Sequence, residues 1–466
     1  MDLFGTAGIR GDVAEEVTPE LALRVGQAVA EPDRAFAVGR DGRVTGGTLR
    51  DALAAGLESA GATVHDVGMV PTPALAFASR GRYGVQVTAS HNPPEDNGIK
   101  LFVDGSEFDR EAELTVADRI AGGESPAPWD QWGETESESV LEDYREGIVS
   151  YLRGRTLPDT HPAGPGRSLE SSEPLRGLTI AIDCGNGMGS LGTPQVLDRL
   201  GADVVSVNGN VDGRFPGRPS KPTPETLAEF RAFLADHRAD FGIAHDGDAD
   251  RVVLVDSDGE VVHEDTVVAI LAEYYVRTAT VERPVVVTTP NASGRIDQRV
   301  EAAGGTVERV RLGALHEGIA AVTLESGTVV FAAEPWKHIH PRFGLWIDGI
   351  ASAGLLSVLV ATATGLDELR EPVSERPYRK VSVPCAEENK ALVMDRLSTV
   401  LPEIFPAATL STEYGVRLSF EDGAWVLVRP SGTEPYVRLY AESESVDELV
   451  DTIREAIDDA IETIQE

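Results

Sequence analysis

The sequence predicts a multidomain α/β protein: three successive segments that alternate strands and helices, then a last segment of different composition closing on a long amphipathic helix. Three observations carry this. The chain has 466 residues, 41% of them hydrophobic, too long for one core and sized for roughly three or four domains. Short β-branched runs alternate with helix-period runs, the rhythm of βαβ units and a largely parallel sheet. A Pro/Gly/Ser-rich stretch from Arg153 to Pro174 breaks that rhythm, as a linker or surface insertion does at a domain boundary.

In chain order, Thr18-Pro19-Glu20 supplies a cap and a first-turn proline to an early helix. Ala35–Gly39 is a strand, Thr48–Ala60 a helix and Ala62–Val67 the next strand. Gly84–Val87 has the apolar, β-branched look of a buried strand. These fall in a first domain, 1–153, with 154–174 as the linker. A second βα segment, 175–258, opens on the strand Leu178–Asp183 and the glycines Gly185, Gly187 and Gly189. Those glycines either cradle a phosphate or make a tight strand-to-helix turn. A third segment, 259–372, has strands at Val285–Thr288 and Thr328–Ala333. In the last, 378–466, Ser445 and Glu448 form a capping box, and Val446, Leu449, Val450, Ile453, Ile457, Ile461 and Ile464 recur at helical spacing. That helix is expected to pack on a small sheet.

The net charge is −36, and Lys100, Lys221, Lys337, Lys380 and Lys390 are the only lysines. Such a surface fits concentrated salt, where the Debye length falls to roughly 3 Å at 1 M and self-repulsion is screened. It argues against nucleic acid, since no basic stripe with interleaved aromatics is present. No apolar run approaches the roughly 20 residues a membrane span needs, and no export signal stands at the N-terminus. Cys184 and Cys385 alone make no disulfide scaffold, which fits a reducing cytoplasm. Where arginine has largely replaced lysine, a retained lysine is a candidate for chemistry a guanidinium cannot do.

Ser90 lies in Thr88-Ala89-Ser90-His91-Asn92-Pro93-Pro94, with Lys100 ten residues downstream. The prolines forbid strand or helix continuation, so Ser90 belongs on a rigid loop at a strand end. It is either a nucleophile assisted by His91 and Lys100 or part of an ordinary Ser/Asn/Pro turn. In Asp246-Gly247-Asp248-Ala249-Asp250-Arg251, three alternate carboxylates can converge on one hard cation, Mg²⁺, Mn²⁺ or Ca²⁺. An EF-hand is excluded, because Arg251 stands where glycine is required and Ser257 where a bidentate Glu belongs. Arg429-Pro430-Ser431-Gly432-Thr433-Glu434-Pro435, followed by Arg438, has the hydroxyls, freed N–H groups and guanidinium of a phosphate cradle, or is a Ser/Gly/Pro turn between arginines. Phe4–Gly11 adds a second glycine-rich loop bearing Arg10.

Taken together, these four motifs resemble the signatures of the α-D-phosphohexomutase superfamily, in its order and across essentially the whole chain. Val38–Asp41 with Arg43, Pro71-Thr72-Pro73, Phe215-Pro216, and Asp183 with Asn186-Gly187 agree. The resemblance implies four domains around a central cleft, three sharing an α/β core with a mixed sheet between helices and a C-terminal α+β domain. It implies a phosphosugar mutase that interconverts the 1-phosphate and 6-phosphate of a hexose or hexosamine (glucose, mannose or glucosamine). In that scheme Ser90 carries a phosphoryl group and, with Asp246, Asp248 and Asp250, ligates Mg²⁺. Lys100 is general acid or base, and Arg10, His91 and Arg251 line the reacting phosphate. Arg429, Ser431, Gly432, Thr433 and Arg438 hold the other phosphate, and a bisphosphorylated sugar is the intermediate. The implied enzyme is cytoplasmic, a monomer or homodimer.

The resemblance breaks at one place. The family's sugar loop usually reads Gly-Glu-x-Ser-Gly-His, whereas this chain has Ala333-Glu334-Pro335-Trp336-Lys337-His338. Glu334 and His338 match, but Trp336 either meets the sugar or packs on a neighbouring loop. The altered loop keeps a pentose phosphate mutase open as an alternative. A non-catalytic sugar phosphate or divalent-cation binding protein on the same fold is the rival from outside the enzymes.

Overall fold

A computed structural model describes residues 3–5, 8–31, 34–123, 125–159, 161–162, 172–237, 239–325, 327–431 and 435–465. The chain forms two compact units, 1–267 with 330–370, and 268–329 with 371–466. The first unit opens with β1 (Ile9–Asp12), α1 (Pro19–Val29), β2 (Ala35–Arg40), α2 (Gly46–Ser59), β3 (Thr63–Met69), α3 (Thr72–Ala78), β4 (Tyr83–Val87) and β5 (Asp96–Val103). It continues with β6 (Ser106–Glu107), α4 (Arg110–Gly122), β7 (Thr135–Ser137) and α5 (Leu141–Leu152). Thr18 caps α1, its hydroxyl accepting from Leu21 N–H, with Pro19 in the first turn.

The sheet order is β1-β5-β4-β2-β3-β7, with β6 on β5. Strands β4, β2, β3 and β7 run parallel, but β5 is antiparallel to both β4 and β1. The sheet is therefore mixed, as the family resemblance implied, and less parallel than the strand–helix rhythm alone suggested. The serine loop between β4 and β5 is too short for the crossover of about a dozen residues that a parallel return needs. Phe36, Val38, Val64, Val85 and Val87 bury one face against Val25, Leu49, Leu53 and Leu57 of α1 and α2.

The same device recurs. β8 (Thr179–Asp183), α6 (Thr193–Arg199), β9 (Asp203–Val207), α7 (Ala228–Asp236), β10 (Phe241–Ala244) and β11 (Val253–Asp256) form a sheet ordered β11-β10-β8-β9. There β10 lies parallel to β8 and antiparallel to β11, so the aspartate loop is again a hairpin return at the end of a parallel strand. Gly185, Asn186 and Gly187 make a tight turn into a short 3₁₀ helix, Met188–Leu191.

The helix α8 (Glu264–Arg277) leads into β12 (Pro284–Thr288), α9 (Gly294–Ala302), β13 (Thr306–Arg309) and α10 (Leu315–Leu324), with β12 and β13 parallel. β14 (Thr328–Glu334) and β15 (Lys337–Ile339) form a hairpin, followed by α11 (Gly349–Ala363) and α12 (Leu366–Arg370).

The chain ends in an antiparallel sheet of β16 (Tyr378–Pro384), β17 (Thr409–Ser411), β18 (Val416–Ser419), β19 (Trp425–Pro430) and β20 (Tyr436–Glu442) with α13 (Lys390–Ile404) and α14 (Val446–Gln465). Val446, Val450, Ile453 and Ile457 of α14 pack with Val393, Leu397, Leu418 and Leu439, as the helical spacing implied. The capping box does not form. Ser443 Oγ takes the Ser445 N–H that Glu448 would have accepted, at 3.2 Å. Both cysteines are unpaired and buried. Among the described residues no helix is long and apolar enough to cross a membrane.

Candidate active site

Ser90 sits just past β4, fully buried, with φ of 51°. A serine in the left-handed region is uncommon, and its neighbours must hold it there. The Ser90 N–H donates to Thr88 Oγ1 at 2.9 Å, and Thr88 Oγ1 donates to Asp41 Oδ2 at 2.7 Å. Arg43, itself buried, spreads its guanidinium under the loop. It donates from Nη1 to the carbonyls of Pro93 (2.5 Å) and Asp96 (2.9 Å), from Nη2 to those of Ser90 (3.0 Å) and Asn92 (2.7 Å), and from Nε to Asp41 (3.1 Å). The loop is thus wrapped around one planar cation.

Ser90 Oγ donates to Asp246 Oδ2 at 2.8 Å and lies 3.4 Å from His91 Nδ1. The two loops touch through backbone. A Cβ on Gly247 would stand 2.5 Å from the Ser90 carbonyl oxygen, so only glycine permits this approach.

Asp246, Asp248 and Asp250 are all buried, each offering an oxygen within 4.8 Å of the others. Thr72 donates to Asp248 twice, Oγ1 to Oδ2 at 2.7 Å and N–H to the carbonyl at 3.0 Å. Arg218 ties the strand ends together, Nε to Asp183 Oδ2 at 2.6 Å and Nη2 to the His245 carbonyl at 2.6 Å. The His245 ring bridges Thr193 Oγ1 and the Arg251 carbonyl, 2.7 Å each. Burial, with Arg218 adding, pushes its imidazole down to about 4, so it is neutral. Lys100 Nζ donates to Asp250 Oδ2 at 2.7 Å and Asp248 Oδ2 at 3.2 Å. Burial opposes the Lys100 charge, but these two carboxylates outweigh it and hold the ammonium above its ordinary range.

The carboxylates differ. Burial and the charges of Asp250 and Asp248 push Asp246 well above the usual range. Against burial, Lys100, Lys337 and Arg251 hold Asp250 well below it. Asp248 Oδ1 and Asp250 Oδ1 are buried without a hydrogen-bond partner. Three hard oxygen donors with two unspent acceptors fit a divalent cation of the Mg²⁺ class.

A ring of cations faces this centre. β1 pairs with β5 so that Arg10 stands opposite Gly98, and Arg10 Nε and Nη2 are buried without an acceptor. His91 is pushed down to about 2 by burial, then by Arg251, Arg10 and Lys337. It is neutral, and those three cations share its neighbourhood. Arg251 lies 3.7 Å from Asp246 and 3.9 Å from Asp250.

The β14–β15 hairpin turns on Pro335 and Trp336, with Glu334 paired to Lys337. Trp336 takes φ of 70°, at a turn position that glycine ordinarily fills. It packs half-buried against the cluster of Ala181, Phe230 and Val253. Its carbonyl accepts from Val252 N–H at 3.0 Å, and Arg251 and Lys337 form a β-bridge, so sugar loop and aspartate loop are laced together. His338 is buried, its Nδ1 3.0 Å from Ser352 Oγ on α11.

In the second unit, Arg429 and Arg438 face each other across β19 and β20. Like charges directly opposite are destabilising unless an anion intervenes. Arg429 Nη2 donates to Tyr440 Oη at 3.1 Å. Lys390 Nζ, buried, donates to the Ser431 carbonyl at 2.7 Å and to Glu387. Gly432 and Thr433 lie outside the described residues.

Four family models match in order: Phosphoglucomutase/phosphomannomutase α/β/α domain I over residues 1–127, domain II over 166–259, domain III over 263–376 and the C-terminal domain over 381–460. The chain belongs to the phosphoglucomutase/phosphomannomutase family. It is 40% identical to a phosphopentomutase of Thermococcus kodakarensis, covering 95% of this chain and 94% of that one. It is 39% identical to a probable phosphoglucosamine mutase of Methanopyrus kandleri, covering 98% and 99%. A crystal structure of a phosphoglucomutase/phosphomannomutase family protein from Burkholderia thailandensis matches with a TM-score of 0.81 at 26% identity, covering 98% and 97%. The four-domain α/β fold and the mutase family follow, and the protein is an enzyme, an intramolecular phosphotransferase. The binding-protein alternative is thereby set aside.

Sequence reasoning brought Ser90, Lys100, Arg10, His91, Arg251 and the three aspartates to one place, and the structure groups these side chains. It passed over Arg43, Thr72 and Arg218 as working parts. Arg43 and Thr72 stood in stretches that matched the family, which was the available signal. Arg218, three residues beyond Phe215, carried no local signal of its own.

Proposed function

We propose that this mutase moves a phosphoryl group between the 1- and 6-positions of a hexose or hexosamine phosphate by way of Ser90. One observation carries the reading: a buried, conformationally strained serine whose hydroxyl meets a buried aspartate triad, with an ammonium clasped between two of its members. Phosphoserine at position 90 gives its phosphoryl to the free hydroxyl of the sugar phosphate, breaking P–Oγ and forming P–O to the sugar. The bisphosphorylated sugar then returns its other phosphoryl to Ser90. In each transfer Lys100 gives a proton to the leaving oxygen, and the proton of the attacking hydroxyl returns to its amine, so the ammonium is restored. Arg10 and Arg251 offer guanidinium donors to the reacting phosphoryl oxygens, and neutral His91 adds a ring nitrogen. Asp246, Asp248 and Asp250 hold Mg²⁺, which when bound draws charge from the transferring group. In the second unit, Arg429, Arg438 and the Ser431 loop, with Gly432 and Thr433, take a phosphate.

A second reading, a pentose phosphate mutase, is favoured by the 40% identical phosphopentomutase and by Trp336 and Lys337 in the sugar loop. Glu334 and His338 belong to that loop in either case. We place the enzyme in a reducing, salt-rich cytoplasm, in keeping with its charge of −36 and its unpaired cysteines.

The test is to supply glucose, mannose, glucosamine and ribose phosphates with Mg²⁺ and a trace of sugar bisphosphate, and to follow isomerisation. Turnover of a hexose or hexosamine phosphate, with phosphate on Ser90 by mass spectrometry and no turnover in Ser90→Ala, is the expected result. Turnover of ribose phosphate alone selects the second reading. No turnover at all and no phosphate on Ser90 would overturn both.

A further inference from the structure

We propose that Lys390 is a positioning residue of the phosphate loop: its ammonium holds the Ser431 carbonyl on the side away from Arg429 and Arg438 and leaves their side to the phosphate. This rests on the mutase reading and adds to it a residue that touches no substrate.

Lys390 is one of five lysines in the chain. It opens α13, where a cation opposes the helix dipole, and its side chain is only 5% exposed. A buried ammonium in such a place is costly unless strong acceptors take it. Nζ donates to the Ser431 carbonyl at 2.7 Å and to Glu387, whose own side chain is largely in solvent. The buried bond is therefore the one to Ser431, the first residue after β19.

Strand alternation gives the direction. Val428 and Val437 pack with Val393 and Leu397 of α13. Their chain neighbours Arg429 and Arg438, a cross-strand pair, stand on the opposite face of the sheet. Lys390 thus meets the loop from behind, and the carbonyl it holds is turned from the two guanidinium groups. The far end of the loop is treated alike, since the Pro435 carbonyl accepts from Cys385 N–H at 2.9 Å. Ser431 N–H closes the base of the loop on the Tyr436 carbonyl, also at 2.9 Å. These backbone bonds shut the loop without help from a side chain. What Lys390 adds is the direction of one acceptor and a positive charge behind an anion site. A carbonyl oxygen that faces a phosphate repels it, so a loop that takes an anion must turn its acceptors away.

The experiment measures kcat and KM in wild type, Lys390→Met and Lys390→Gln with glucose phosphate, or with ribose phosphate if only that turns over. The phosphate at this loop is not the one that reacts, so a weaker grip on it raises KM and spares kcat. Lys390→Met is expected to raise KM roughly ten- to a hundredfold, with kcat within about threefold of wild type. Lys390→Gln keeps a neutral donor and should fall between the two; it carries the same comparison if Lys390→Met does not fold. An unchanged KM, or a fall in kcat at constant KM, would mean that the lysine supports the fold alone, which overturns the inference and leaves the mutase reading intact. Absence of turnover on every sugar phosphate sinks the mutase reading instead. Calorimetry with inorganic phosphate on wild type and Lys390→Met then decides the role of Lys390: weaker binding by the variant upholds it, and equal affinities overturn it.

Discussion

Replacing Arg43 with lysine keeps the positive charge and removes the planar fork, which isolates what the guanidinium geometry does for the serine loop. The Arg43 guanidinium makes five hydrogen bonds, four to the carbonyls of Ser90, Asn92, Pro93 and Asp96 and one to the Asp41 carboxylate. An ammonium has three donors on a single nitrogen. At least two of the five bonds are lost, and each bond from a charged donor contributes about 1.5 kcal/mol or more. The loop should therefore be destabilised by about 3 kcal/mol, relative to its open form. At 1.36 kcal/mol per tenfold, local opening becomes roughly a hundredfold more frequent. Hydrogen exchange read by mass spectrometry on peptides spanning 88–98 measures this directly, without assuming that a multidomain chain unfolds in one step. Turnover should fall by about a hundredfold as well, since a nucleophile misplaced by about an ångström costs that much. Exchange in these peptides within about threefold of wild type, or unimpaired turnover, would refute the idea that Arg43 holds Ser90 in its left-handed conformation.

Three further outcomes are expected. Thr72→Val removes the hydroxyl that donates to Asp248 Oδ2 at 2.7 Å, and Mg²⁺ affinity measured by calorimetry should weaken about ten- to a hundredfold; unchanged affinity would show that Asp248 is oriented without it. Lys100→Met should cost about 10²–10⁴ in turnover, and Lys100→Arg should not restore it, because a guanidinium does not give up its proton; an active arginine variant would reduce Lys100 to a counter-ion. His338 is buried and pushed down from 6.5 to about 3 by burial, so between those values the unfolded chain binds a proton that the folded one refuses. The stability it supports is present above about pH 6.5 and is lost as pH falls toward 3. At pH 5 the loss is about 2 kcal/mol, so chemical unfolding of His338→Gln should decline less steeply from pH 7.5 to 5 than wild type. Equal slopes would mean that His338 is protonated in the folded protein.

Much of the candidate site in the first unit was legible in the sequence because its two central parts are short hairpin returns carrying their own chemistry. Ser90 between β4 and β5 and the aspartates between β10 and β11 lie in contiguous segments whose residue types announce them. The supporting residues were harder. Arg43 reaches carbonyls about fifty positions away, Thr72 reaches Asp248, and Arg218 reaches Asp183, and no local periodicity encodes such pairings. The Ser445–Glu448 capping box matched its pattern and still failed, because Ser443 competed for the same N–H at shorter sequence range.

By itself, the sequence determined the α/β alternation, the closing α+β segment with its long amphipathic helix and the candidates for chemistry, since periodicity and loop composition are local properties. Tertiary structure alone decided that β5 returns antiparallel and carries Lys100 to Asp248 and Asp250. It also decided that Trp336 turns into an apolar cluster while Lys337 turns toward Asp250. The physical reason is that a side chain's partner is chosen by strand register and by which face of the pleat it occupies, and a one-residue difference in register exchanges the two.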